Sequence, residues 1–249
     1  MNYSNPPARS IDSFFHRTFY SNIHAHEIGY NIYLPPDYEH SGKRYPVFYH
    51  NHGWTGNEST ELIPMEPLCR SRDAITVFVN HAHVTGNVWE LPNAPMDIDE
   101  LIPHIDSTCR TIPSREGRTI TGFSMGGGVA AFMAFKYPDL FSSVVAYAGT
   151  YHHYFHPDYA TVGTPVDQAG EIYARMMNDR KFFEGSIIQC LITNADQIRN
   201  RMSISLHIGM EDILYCDNEI LHLHLEALQI PHEYRKYPGA NHKLSLILN

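Results

Sequence analysis

Residues 118–138 read RTITGFSMGGGVAAFMAFKYP, and the fold follows from them. A short apolar run, 118–123, meets a serine flanked by glycines and gives way at once to an apolar stretch that ends at Pro138. Continuous apolar residues in so short a run predict a strand covered on both faces. The stretch from Met125 to Tyr137 has no polar face and predicts a buried helix. Gly122 and Gly126 frame Ser124 as G-x-S-x-G at this strand-to-helix turn. Such a turn holds the serine in a strained backbone geometry. Its oxygen then lies at a helix N-terminus, where backbone N–H groups and the positive end of the dipole meet an anion. Ser124 is therefore the candidate nucleophile.

The same rhythm extends outward in both directions. Apolar runs at 47–49, 75–79, 143–148, 203–208 and 233–237 alternate with helical stretches. This predicts βαβ units, hence an α/β fold with a mostly parallel central sheet and helices on both faces. Upstream, 16–20 and 27–34 predict an antiparallel N-terminal hairpin closed by Pro35-Pro36-Asp37. Helical spacing over 97–110 predicts a helix with Asp97 at its N-cap and a kink at Pro103. A further helix is predicted over 217–229, with Asp217 at its cap, His224 in its apolar face and His222 opposite. Residues 150–200 read as a short helical insertion after the sixth strand, with helices over 166–178 and 187–200. No repeat, low-complexity segment or linker interrupts the chain, so 1–249 is read as a single domain.

Composition narrows the function. The 249 residues carry 18 Lys+Arg against 27 Asp+Glu, a net charge of −9, which disfavours nucleic acid and anionic membrane as partners. With 43% hydrophobic and 12% aromatic residues the chain is not a disordered one. No uncharged apolar run approaches the roughly 20 residues of a membrane-spanning helix. The first residues lack the basic and apolar regions of a signal peptide, and Cys69, Cys109, Cys190 and Cys216 show neither CxxC nor a dense framework. Free thiols in a cytoplasmic protein are the expectation.

A serine hydroxyl needs a base to take its proton and an acid to orient that base. In strand–turn–helix hydrolases the partners follow in the order serine, acid, histidine, in loops after later strands. Residues 203–212, SISLHIGMED, form a strand ending at Asp212, and 234–242, YRKYPGANH, form the next, ending at His242. Asp212 is thus the candidate acid, with Glu211 its rival, and His242 the candidate base. Two backbone donors are needed for the oxyanion of the tetrahedral intermediate. One is the N–H of Met125, directly after the nucleophile. The other is assigned to Trp54, in the turn HNHGWTGN over 50–57 that follows the strand at 47–49.

Together these segments resemble the putative-esterase family of α/β-hydrolases, which takes in feruloyl and acetylxylan esterases, esterase D-type S-formylglutathione hydrolases and mycolyltransferases. The likeness begins at YNIYLPPDY, 30–38, continues through KRYPV, 43–47, and GFSMGG, 122–127, and ends at PGANH, 238–242. The resemblance implies an α/β-hydrolase fold, a triad of Ser124, Asp212 and His242, and oxyanion donors at Trp54 and Met125. Three departures blur the subfamily: the polar 49–53 run YHNHG, the third glycine at Gly128, and Lys243-Leu244 after the final histidine.

The expected activity is a serine esterase acting through an acyl-enzyme on Ser124, needing no cofactor. The aromatic and histidine-rich loops suggest acyl groups carried on carbohydrate, feruloyl or acetyl, with His52, Trp89, Tyr151 and His152 as candidate pocket residues. The partner is then a small-molecule or oligosaccharide ester. The alternatives are an S-formylglutathione-type thioesterase, an acyltransferase, or a His-rich binding protein on a hydrolase scaffold. The 17 histidines invite a metal reading, through His81 and His83 with His152, His153 or His156, or through His222 and His224. Because the serine machinery accounts for hydrolysis alone, no metal is assigned.

Overall fold

The structure, a computed structural model, describes residues 11, 13–81, 97–151 and 186–248. Among the described residues eight strands form one sheet in the order β1-β2-β4-β3-β5-β6-β7-β8. They are β1 (Phe14–Ser21), β2 (His26–Tyr33), β3 (Val47–Asn51), β4 (Ile75–Val79), β5 (Arg118–Phe123), β6 (Ser143–Tyr147), β7 (Ser203–Gly209) and β8 (Glu233–Tyr237). β1 and β2 form the antiparallel hairpin, β2 pairs antiparallel with β4, and every pair from β4 to β8 is parallel. The fold is the mostly parallel α/β architecture expected, opened by its hairpin.

Alternation explains how this sheet is covered. All five residues of β4 are buried, with Ile75, Val77 and Val79 entering one apolar cluster and Phe78 the other. The helix Met125–Lys136 fills the first cluster, where residues 126 to 135 are all buried. The helix Leu62–Arg70 and the turn Leu244–Leu246 fill the second, through Leu62, Met65, Cys69 and Leu244. At the edge, β8 is short and carries Glu233, Arg235 and Lys236, charges that discourage pairing with another chain.

The predicted helices shift at their ends. Over 97–110 the chain makes a π-helical turn, Asp97–Leu101, before an α-helix, Ile102–Thr108. Pro103 is the second residue of that α-helix, directly after the π-helical turn. Asp97 does not cap: its Oδ2 meets His81 Nε2 at 3.0 Å. The last helix runs Tyr215–Ala227, so Asp217 lies within its first turn, and its Oδ2 accepts from the Tyr151 amide. Its buried residues are Asn218, Leu221 and Leu225; His222 is not turned away from the body of the protein but stacks on Tyr234, 4.6 Å between centroids. The helix expected over 187–200 is broken into Ile187–Thr193 and Ala195–Arg199 at Asn194, whose side chain donates to Phe135 O. The helix expected over 166–178 lies outside the described residues. All four cysteines are free thiols, as expected.

Candidate active site

The order of strands creates the site. The chain runs from β3 outward to β4 on one side and returns to β5 on the other, so β3 and β5 flank the switch point where ligands of such sheets bind. Asn51 pairs with Gly122 across these strands, so the turn after β3 and the turn after β5 leave the sheet side by side. A Cβ built on Gly53 would lie 3.5 Å from Ser124 Cβ. Close approach is also what the glycines permit: a Cβ on Gly126 would stand 1.9 Å from Asn51 O.

Ser124 occupies the turn with φ 56° and ψ −119°, a left-handed conformation that costs a non-glycine residue about 1–3 kcal/mol. Its amide donates to Tyr147 O, and its carbonyl accepts from Gly128 and Thr150. These bonds tie the turn to β6 and to the following helix, and Met125 opens that helix.

The other two side chains arrive from the far side of the sheet. After β8 the chain folds back across the end of β7, with the Glu211 amide donating to Ala240 O and the Met210 amide to Tyr237 O. This return brings His242 within reach of Ser124. His242 Nε2 lies 2.9 Å from Ser124 Oγ, and His242 Nδ1 lies 2.9 Å from each carboxylate oxygen of Asp212. Asp212 is fully buried at its side chain, and its Oδ1 also accepts from the Leu214 amide at 2.8 Å. The Phe123 ring stacks on the imidazole at 4.8 Å. Ser124, His242 and Asp212 thus form one hydrogen-bonded line, in which the carboxylate accepts from the Nδ1–H tautomer of His242. Glu211 is exposed, and the carboxylate that accepts from His242 is that of Asp212.

Behind the Gly53 turn is a polar network that sequence reasoning did not find. Glu61 Oε1 accepts from the Gly53 amide at 2.9 Å, and its Oε2 meets His50 Nε2 at 2.6 Å. Both side chains are buried. The only signal in the sequence was an acidic residue shortly after a histidine-rich turn, which does not distinguish a buried anchor from a solvated charge.

His52 is 3% exposed and lies under this turn rather than in an open pocket. Its Nδ1–H donates to Gly53 O at 2.7 Å and its Nε2 accepts from the His81 amide at 3.0 Å. Burial, with the neighbouring His81 second, pushes the imidazole down to about 4, so it is neutral at pH 7. Tyr151 is likewise buried, within the larger apolar cluster, and its amide donates to Asp217 Oδ2. Two pocket candidates are therefore interior residues, because polar–aromatic composition does not reveal depth. Trp89 and His152 lie outside the described residues, as do His83, His153 and His156. The described member of the first metal grouping, His81, pairs with Asp97.

The fold is that of the α/β-hydrolases, with a serine, a histidine and an aspartate aligned at the carboxyl end of its sheet. The chain belongs to the Putative esterase family, whose profile matches residues 21–245. An esterase of Mycobacterium tuberculosis (strain H37Rv) is 31% identical over 135 residues, 49% of this chain and 29% of that protein. An endo-1,4-beta-xylanase/feruloyl esterase of Xylanibacter ruminicola is 28% identical over 143 residues, 50% of this chain and 20% of that protein. The chain thus spans less than a third of the length of these curated relatives. Among solved structures, an S-formylglutathione hydrolase from Staphylococcus aureus superposes with a TM-score of 0.73 at 16% identity, covering 93% of this chain and 90% of that one. No helix among the described residues is long and apolar enough to cross a membrane.

Proposed function

We propose that the protein is a serine carboxylic-ester hydrolase that forms an acyl-enzyme on Ser124. The observation that carries this is the 2.9 Å contact of Ser124 Oγ with His242 Nε2, made by a serine at positive φ at a helix start. His242 takes the hydroxyl proton as Oγ attacks the ester carbonyl. The oxyanion of the tetrahedral intermediate is held by the amides of Met125 and Trp54. Collapse expels the alcohol, to which His242 returns the proton. Water then attacks the acyl-enzyme by the same steps, with His242 as base, and releases the acid. Asp212 keeps Nδ1–H in place and compensates the imidazolium that forms twice in each turnover.

The substrate class we favour is an acyl group, feruloyl or acetyl, esterified to carbohydrate. Support comes from family membership and from the Xylanibacter relative, whose name includes feruloyl esterase. A fluorophosphonate probe should label Ser124 in the wild type, and Ser124→Ala should lose both labelling and nitrophenyl-acetate turnover. Full activity in that variant would refute the mechanism. For substrate, kcat/KM on methyl ferulate, acetylated xylo-oligosaccharide and S-formylglutathione should favour one of the oxygen esters; a preference for the thioester refutes the carbohydrate assignment and leaves the mechanism standing.

A further inference from the structure

At the opposite end of the last helix and strand from Ser124, a second cluster of chemically capable side chains has no part in ester hydrolysis. The helix Tyr215–Ala227 places His222 and Glu226 four residues apart on one face, and His232 directly precedes β8. His222 Nδ1 lies 2.8 Å from His232 Nε2, Glu226 Oε1 lies 4.0 Å from the same Nε2, and the ligand atoms of all three lie within 4.8 Å of one another. We propose that His222, Glu226 and His232 bind a zinc-class divalent ion that clasps the end of this helix to the start of β8.

The donor set and its support favour such an ion. Two imidazoles and a carboxylate, with a fourth position left for water, suit zinc and its neighbours. Zinc holds nitrogen and oxygen at about 2.0–2.2 Å in a tetrahedron, which needs donor atoms about 3.3–3.5 Å apart. The two rings therefore separate slightly and Glu226 closes inward. Glu226 is free to do so because its side chain is 64% exposed, whereas that of His232 is 2% exposed and cannot wander. His232 is also set in the correct tautomer. Its Nδ1–H donates to Ile230 O at 2.9 Å, which turns the Nε2 lone pair toward the cluster, as backbone carbonyls do for metal-binding histidines. The His222 ring is fixed by stacking on Tyr234. In the metal-free protein His222 Nδ1–H donates to His232 Nε2; on binding, His222 moves its proton to Nε2 and offers Nδ1, so no net proton is released. His224 lies about 200° around the helix from His222 and takes no part.

The two elements joined are those that carry the acid and the base at their other ends. The helix begins three residues after Asp212, and β8 ends five residues before His242. The ion would stabilise this framework without touching the reacting atoms.

Isothermal titration of the full chain with ZnCl2, in buffer free of thiols and chelators, tests the site. We expect one-to-one binding that weakens tenfold or more in Glu226→Gln and in His222→Asn. At free zinc about a hundredfold above Kd, linkage suppresses unfolding about 100-fold, which for a chain of this length raises Tm by about 5–10 °C. Glu226→Gln changes an exposed side chain, so its result stands even if His222→Asn misfolds. Absence of one-to-one binding in the wild type, or binding left unchanged by either folded variant, overturns the proposal.

Discussion

Replacing Glu61 separates the scaffold of the Gly53 turn from the proposed reacting residues. Its carboxylate receives two buried donors, the Gly53 amide at 2.9 Å and His50 Nε2–H at 2.6 Å. Glu61→Ala leaves both without an acceptor, and a buried unpaired donor costs about 1–3 kcal/mol. The loss is therefore about 2–6 kcal/mol, which for a chain of this size lowers Tm by about 5–20 °C. The Gly53 amide directly precedes Trp54, the proposed oxyanion donor, and removing such a donor outright costs about 10²–10³ in kcat. Loosening the turn that holds it should lower kcat by about 10–10³ while KM changes less than about threefold, since the oxyanion contact matters most in the transition state. Glu61→Gln isolates one bond. Its carbonyl can still accept from Gly53, but its amide faces His50 Nε2, and His50 Nδ1 has no hydrogen-bond partner among the described residues to receive a relocated proton. That variant should lose about 1–3 kcal/mol of stability and keep kcat within about tenfold. The assay is nitrophenyl-acetate turnover beside a thermal melt of each protein. If Glu61→Ala folds and retains kcat within about threefold of wild type, the turn is held by other means and the reasoning fails.

Acid should destabilise the fold through two histidines. Burial pushes His52 and His207 down to about 4 from the ordinary 6.5, with His81 and Arg235 respectively as the second causes. The unfolded chain then takes up these protons first, so their stabilisation is complete above about pH 6.5 and is lost as pH falls toward 4, at about 1.4 kcal/mol per pH unit for each ring. Urea unfolding at pH 7.5 and pH 5.0 should differ by on the order of 2 kcal/mol per ring, and His207→Gln should remove its share; an unchanged difference in that variant contradicts the assignment. Gly126→Ala forces a Cβ against Asn51 O, where 1.9 Å is available, and backbone must move to admit it. We expect a Tm at least about 5 °C lower, with activity lost, because the contact joins β3 to the helix Met125–Lys136 that Ser124 precedes; a wild-type melt would show that the two elements are not so closely packed.

Legibility in the sequence followed the physical kind of each feature. The run 118–136 was readable because a buried parallel strand and a buried helix both demand continuous apolar residues, and the glycines needed for a close crossing stand at fixed offsets from Ser124. Asp212 and His242 were readable from the strands they follow, and the structure brings His242 to Ser124 and Asp212 to the far nitrogen of that ring. What escaped were properties set by depth and by contacts distant in sequence. His52 resembles a pocket wall in composition, yet its position beneath the Gly53 turn depends on His81, which arrives from β4. Glu61 acts only because the chain doubles back within ten residues of Gly53. Proximity in the chain groups His222 with His224, whereas its partner in space is His232, across the turn into β8. A local pattern constrains the period of an element and the identity of its turn residues, but the second partner of a polar side chain is chosen by strand order. Here that order, which sets β3 beside β5 and β7 beside β8, converts four separate turns into a single site and leaves the opposite ends of the same elements available for a different chemistry.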